Sequence, residues 1–474
     1  MAMNKPNIIF FVMDALRLKN LSYTGYFRKT SPNIDKLAEG GVFFERFFSS
    51  NNSTEKSFIA TLSGRHILLG DKKNLLLTNN EIKSFFDSGG NFLQQILKKN
   101  GYTTYCLKDL YSWQKIGFDY FYSMGAVKGE EKGIWNSIQK NQKVRKLVRD
   151  IVHDFFPRKI ADKIRARYGR TTSLRATNKA IEIIKNSKKT GKKFFMWVDY
   201  NDTHIPYNPK EFTGKFKAQE KNEKFFKIIS KEKYNPEMVC FWRGAFNRGD
   251  TINDIIARYD SAIAYDDFLI SKILDSLKEE GVMENTIILF FTDHGENLAE
   301  HELYWDHHGL YDVDIHVPLI IYGKGFPKAK RIKEFVQHED ITPTILDFLK
   351  INYDPTSFDG KSFLPLISGN EKKIRDYIFS EEGDKVKKQA IRTENYKYIT
   401  AKSKEDAFCT YCNKIHGGLS ELYNLNEDPD EKNNIARKKR KVLFSMKKIL
   451  ENEVKNLKVA KEKRRIRKTL SKIK

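Results

Sequence analysis

Three runs in this chain are apolar on both of their alternating faces, and each ends abruptly in polar residues: NIIFFVMD (7–14), KKFFMWVDYND (192–202) and NTIILFFTDHG (285–295). A strand with one wet face would alternate, so continuous apolarity implies strands covered from both sides. Amphipathic stretches lie between them. SPNIDKLAEGG reads as a short helix, with Ser31 as N-cap, Pro32 in the first turn and Gly40–Gly41 as its close. SFIATLSG is helical, and NFLQQILKKNGYTTYCLKD gives a helix, a glycine stop and a strand. YDSAIAYDDFLISKILDSLKEEG is a long helix, VPLIIYG a strand and EDITPTILDFLKI a helix. Such alternation predicts an α/β sandwich, a mainly parallel central sheet with helices on both faces.

Beyond about residue 370 the pattern shortens. DYIFSEE, KQAIRTENYKYITA and SELYNLNED are brief strands between turns and predict a small antiparallel sheet followed by a C-terminal helix. The expected organisation is a large domain over 1–370, a small α+β subdomain over 371–436 and a basic helical tail over 437–474. Within the first, 127–175 and 212–250 are charged and helix-prone, and read as insertions or a lid. With 474 residues, 34 Phe and 22 Tyr, the chain has ample material for a core.

The formal charge is +24, of which the segment from Arg437 to Lys474 carries +14, with 17 Lys or Arg against 3 Glu. A tail of this kind favours polyanions. Val442, Met446, Ile449, Val454 and Leu457 recur in it near helical spacing, so an amphipathic helix on an anionic membrane surface is the partner expected, and nucleic acid is not. The apolar run Ile8–Met13 is too short for a secretion signal and ends at Asp14. A cytoplasmic location is expected, peripheral to a membrane where the tail docks. The cysteines are Cys106, Cys240, Cys409 and Cys412. Four are too few for a disulfide framework in a chain this long. Cys409 and Cys412 form a CxxC with His416 nearby, half of a zinc site by itself, and read as a loop with reduced thiols.

The strand ends carry the chemistry. Ligands of open α/β sheets sit beyond the carboxyl ends of the strands. Here those ends hold Asp14, then Asp199, Asn201, Asp202 and His204, then Asp293 and His294. Burying such groups is costly unless they meet a cation or each other. Carboxylates with an imidazole and a hydroxyl suit Mg, Mn, Ca or Zn.

Ten segments then resemble the successive motifs of the sulfatase family, in the family's order: NIIFFVMDALR, SPNIDKLAEGGVFFERFF, STEKSFIATLSGRH, DTHIPYNP, FTDHGENLAEH, YDVDIHVPLII, DITPTILD, DGKSFLPLI, RTENYKYI and ELYNLNEDPDE. The resemblance implies an alkaline-phosphatase-like sandwich and a hydrolase or transferase of anionic esters, lipid- or glycan-linked. By it, Asp14, Asp293 and His294 bind one divalent metal together with Thr54. Thr54 is the nucleophile, since the family places it ten residues before the Gly of LSGR, here Gly64. His204 contacts substrate, and His307 or His308 of WDHHGLYD covers the transferred group. The structural alternatives are a helix N-cap for Thr54 and a loop residue before Pro206 for His204.

Three departures bear on the reaction. TEKSF replaces the family's CxPxR, so the formylglycine aldehyde cannot form on Thr54. Asp14 is followed by Ala15 rather than a second aspartate. No DxxxH segment lies at the strand-end clusters to hold a second zinc, which favours a single metal. Thr-type relatives imply a phosphate-type ester, a phosphodiester or phosphonate, hydrolysed or transferred through a covalent Thr54 intermediate. The alternatives are a sulfatase acting without formylglycine and a non-catalytic member that binds anionic surfaces.

Overall fold

A computed structural model of the chain describes residues 5–70, 73, 76–108, 112–123, 172–207, 209–220 and 222–471. Among these residues, nine strands form the main sheet: β1 (Asn7–Met13), β2 (Val42–Phe48), β3 (Thr103–Leu107), β4 (Tyr120–Phe121), β5 (Phe194–Tyr200), β6 (Thr286–Phe291), β7 (His316–Tyr322), β8 (Lys330–Ile332) and β9 (Val336–Gln337). Their order is β4-β3-β5-β1-β6-β7-β2-β8, with β9 beside β2. The sheet is parallel from β4 to β6, and β7 runs antiparallel to both of its neighbours. β1 explains why both faces had to be apolar. Ile9, Phe11 and Met13 enter one core layer, and Ile8, Phe10 and Val12 enter the other. The sequence reading leaves VFFERFF unassigned, yet it is β2; Glu45 and Arg46 interrupt its apolarity where the pairing with β7 shifts register.

Helix α1 (Pro32–Glu39) shows how a distant element completes a local signal. Ser31 does occupy the N-cap position, but its hydroxyl donates to Asp35 instead of capping backbone. The free N–H groups of Asn33 and Ile34 donate to Asp267, at 3.0 and 2.8 Å, from helix Ile252–Glu279. The predicted insertion 127–175 lies outside the described residues up to 171. In 212–250, helices Phe225–Ile229 and Pro236–Ala245 set Phe225 and Phe246 against Trp305, with ring centroids 5.6 and 5.7 Å apart. They thereby brace the loop that leads to His307.

The second sheet is antiparallel, β10 (Ile378–Glu382), β11 (Lys388–Arg392), β12 (Tyr396–Thr400) and, beyond the small hairpin of β13 (Phe408–Cys409) and β14 (Lys414–Ile415), β15 (Ser420–Asn424). The basic tail is the helix Arg440–Ser471. Its apolar stripe is not left for a membrane, contrary to the sequence expectation. Met446, Leu450 and Leu457 are buried, and Val442, Ile449 and Val454 pack with them against Phe379, Ile391, Tyr398 and Leu422 of the sheet. Arg464 fixes the far end by a two-pronged pair with Asp359, at 2.8 and 3.0 Å. Apolar area is worth more against an apolar sheet than in a partly wet interface, so the intramolecular face wins. Among the described residues no helix is long and apolar enough to cross a membrane.

A first prediction follows from this packing. Met446→Ala should cost about 2–5 kcal/mol, the usual loss for a buried Met-to-Ala change. Denaturant unfolding checks it, and an unchanged midpoint would mean that the helix does not cover the sheet in solution.

Candidate active site

β1 lies between β5 and β6, so the carboxyl ends of the three apolar strands open side by side. Asp14 follows β1 and donates its backbone N–H to Tyr200 O at 2.8 Å. The chain then turns sharply. Ala15 adopts a left-handed φ of 59°, costly for a residue with a Cβ. The turn lets Ala15 N–H reach Asp293 Oδ1 at 3.2 Å, while Leu16 N–H reaches Thr292 Oγ1 at 3.2 Å. Tyr259 closes the turn by donating to Ala15 O and accepting from Arg17 N–H. Gly295 is required by close approach, since a Cβ there would lie 2.0 Å from Val313 O.

Asp14, Asp293 and His294 are all buried and offer ligand atoms within 4.8 Å of one another. His294 Nε2 is 3.7 Å from Asp14 Oδ1 and 3.5 Å from Asp293 Oδ2. His294 Nδ1 donates to Gly295 O at 2.9 Å, which leaves the lone pair on Nε2, turned toward the carboxylates. Asp14 Oδ1 and Asp293 Oδ2 are buried and accept no hydrogen bond. Orphaned acceptors of this kind are rare and expensive in a folded core. A divalent cation among them would satisfy both carboxylate oxygens and the imidazole lone pair, so the donor set fits the expected metal.

Thr54 opens helix α2 (Thr54–Ser63). Ser53 takes the N-cap position, so Thr54 is the first helical residue and not the cap. Its Oγ1 lies 3.2 Å from His294 Nε2, at the edge of the three-residue cluster. The unpaired N–H groups of a first helical turn, and the helix dipole, favour negative charge at this end. Phe58, the fifth residue of TEKSF, points away into the core against Trp197, 4.8 Å between centroids.

Sequence reasoning missed Lys108. It follows β3 directly, at a fourth strand end that stands in line with the others. Its Nζ is 2.7 Å from Asp199 and 3.7 Å from Asp14. Burial opposes the ammonium, but Asp199, Asp14 and Asp293 prevail and raise its pKa. Asp199 is thus engaged by Lys108 rather than grouped with the metal ligands. The signal was the Lys of CLKD at a strand's carboxyl end, unremarkable until three carboxylates surround it.

The imidazoles divide. His307 stacks on His294, with centroids 3.9 Å apart, and its Nδ1 donates to Asn52 O. Burial first, then nearby positive charge, that of Lys385 included, presses its pKa well down. His204 sits 6.0 Å from His307, centroid to centroid. Burial disfavours its charge, but Asp14, Glu296 and Asp306 together outweigh that and raise its pKa. Asn52, also missed, holds the loop in place by donating to His307 O and Gly309 O at 3.1 and 2.9 Å. His308 is not part of this group. Its ring turns away from His307 toward Cys409, Cys412 and His416, because successive side chains of an extended segment point to opposite sides.

The family model described as Sulfatase matches residues 6–351, and one described as N-sulphoglucosamine sulphohydrolase, C-terminal, matches residues 299–460. An arylsulfatase of Clostridium perfringens is 25% identical over 464 residues, covering 91% of this chain and 90% of its own. Among solved structures, a protein in complex with its substrate D-glucosamine-2-N,6-O-disulfate superposes with a TM-score of 0.66 at 18% identity, covering 96% of this chain and 98% of the other. The phosphonate monoester hydrolase of Agrobacterium radiobacter superposes with a TM-score of 0.65 at 19% identity, covering 96% of each chain.

Proposed function

The chain belongs to the sulfatase family, and from that premise we propose that it hydrolyses a sulfuric ester on an anionic, glycan-type substrate, with Thr54 as nucleophile in place of formylglycine. The carrying observation is the convergence of Thr54 Oγ1 on the Asp14, Asp293 and His294 cluster. The family's arylsulfatase relative, matched over nearly the whole chain, supports sulfate. This reverses the preference for phosphate that Thr54 alone suggested.

Bound by Asp14, Asp293 and His294, a divalent cation would supply Lewis acidity that lowers the pKa of a hydroxyl held against it. The chain's own residues do the rest. Thr54 Oγ1, fixed at the start of α2, gives up its proton to solvent and attacks sulfur in line as the bond from sulfur to the leaving oxygen breaks. His204, in its protonated form, gives its proton to that oxygen. Lys108 places a permanent positive charge beside the cluster, where the transferred group's oxygens gather charge. Water then attacks sulfur as the bond from sulfur to Thr54 Oγ1 breaks, one of its protons going to Thr54 Oγ1 and the other to His204, and sulfate departs. A formylglycine hydrate would expel sulfate through its second hydroxyl. Threonine has one, so this second displacement at sulfur is required.

That same requirement favours a second reading, a phosphate-type ester, because a threonyl phosphate is readily attacked in line by water or an alcohol. The two separate by kcat/KM for an aryl sulfate, a bis-aryl phosphate and an aryl phosphonate with Mg, Mn, Ca and Zn in turn. A sulfate preference of tenfold or more is expected, about 1.4 kcal/mol in transition-state binding. A tenfold preference for either phosphorus substrate would establish the second reading instead.

A further inference from the structure

The group around His308 has a chemistry of its own. His308, Cys409, Cys412 and His416 each offer a ligand atom, all within 4.8 Å of one another. His308, Cys409 and Cys412 are buried, and His416 is partly so. The hairpin of β13 and β14 presents both sulfurs to one side. Cys412 N–H donates to Cys409 Sγ at 3.5 Å, and Asn413 takes a left-handed φ of 54° with its N–H on Cys409 O at 3.0 Å. Asn is among the few non-glycine residues that adopt this conformation readily. His308 Nε2 approaches Cys412 Sγ to 3.4 Å. A tetrahedral zinc, with Zn–S near 2.3 Å and Zn–N near 2.0–2.1 Å, would set such a pair roughly 3.5 Å apart. His308 Nδ1 and His416 Nε2 are buried atoms without a hydrogen-bond partner, so His416 retains an uncommitted ring nitrogen next to two thiols.

We propose that His308, Cys409, Cys412 and His416 bind a structural zinc ion. Two thiolates and two imidazoles form a closed set of four with no position left for substrate, the composition of structural rather than catalytic zinc. It is chemically unlike the oxygen-rich cluster of Asp14, Asp293 and His294. Its consequence lies in the chain connectivity. His308 is the immediate neighbour of His307, whose ring stacks on His294. The ion would fasten the His307 loop to the C-terminal hairpin, adding to ion pairs that already cross there: Lys385 with Asp306 at 3.2 Å and Lys414 with Glu302 at 2.6 Å.

The test uses the full-length protein purified without chelator. Zinc content is measured for the wild type, Asp293→Ala and Cys412→Ser, and thiols are titrated in the native wild type before and after chelation. One zinc per chain is expected to survive when the oxygen-rich cluster is disrupted, for which Asp293→Asn serves as well as Asp293→Ala and keeps the Ala15 turn, and to be lost in Cys412→Ser. Exposed Cys240 should react throughout, with two further thiols appearing only after chelation. Cobalt(II) reconstitution of the wild type should give an intense thiolate-to-cobalt charge-transfer band. The wild-type arms keep the test decisive where Cys412→Ser fails to fold. Cysteines 409 and 412 that titrate fully in native, zinc-supplemented protein would overturn the proposal. So would a Cys409–Cys412 disulfide in the mass spectrum, or a cobalt spectrum without the thiolate band.

Discussion

Thr54→Ala is expected to lower kcat by about 10³-fold or more, the scale of losing a covalent nucleophile, while metal content stays unchanged. Alanine is compatible with the first helical position, Ser53 keeps the N-cap position, and Asp14, Asp293 and His294 keep their mutual geometry. The fold therefore gives no reason for collateral damage. Thr54→Ser should retain turnover, because it preserves the hydroxyl at the same place and removes only a methyl group. Mass spectrometry of a quenched reaction should find the transferred group on Thr54. Ser57 is a poor substitute nucleophile, being fully buried with its hydroxyl donated to Asn51 O at 2.7 Å. Wild-type turnover by Thr54→Ala, or label on Ser53 or Ser57, would show that the reacting hydroxyl lies elsewhere.

Asp293→Asn should take away bound divalent metal and activity together. The substitution is chosen over alanine for a structural reason. Asp293 Oδ1 accepts N–H groups from Ala15 and His294, at 3.2 and 2.9 Å, and an asparagine carbonyl can still do so. The left-handed turn at Ala15 should thus survive, and melting of the metal-free proteins should be similar. What changes is Oδ2, the buried oxygen without a hydrogen bond, which becomes an amide that cannot ligate a hard cation. Loss of a ligand and of a formal charge should bring activity to background. Metal analysis and kcat/KM on the same preparation check this. A folded Asp293→Asn protein with unaltered metal stoichiometry would remove these residues from the metal site.

Much of this was legible in the chain because some constraints are local. Five or six consecutive apolar residues, too few for a helix and closed by polar ones, fit a strand covered on both sides, and β1, β5 and β6 are such strands. A polar group immediately after such a strand emerges at its carboxyl end, which placed Asp14, Asp293 and His294 near one another before any coordinates were known. The spacing from Thr54 to Gly64 corresponds to the length of helix α2, which runs from Thr54 to Ser63 and ends on a left-handed glycine. Hence the sequence by itself determined the central strands, the polar residues at their carboxyl ends and the family.

Tertiary structure decided what depends on partners remote in the chain. The tail's periodicity showed that one face is apolar but not what covers it; the second sheet does, since that burial excludes water more fully than a membrane surface would. Lys108 gained meaning only when β3 came to lie beside β5, bringing Asp199 and Asp14 around its ammonium. His307 and His308 are indistinguishable as neighbours in sequence. Packing sent one ring onto His294 and the other toward two cysteines a hundred residues downstream, and so divided the two imidazoles between an oxygen-rich cluster and a sulfur-rich one. Ligand sets gathered from distant segments leave no periodic trace in sequence, because only the folded backbone brings their donor atoms within coordination distance of each other.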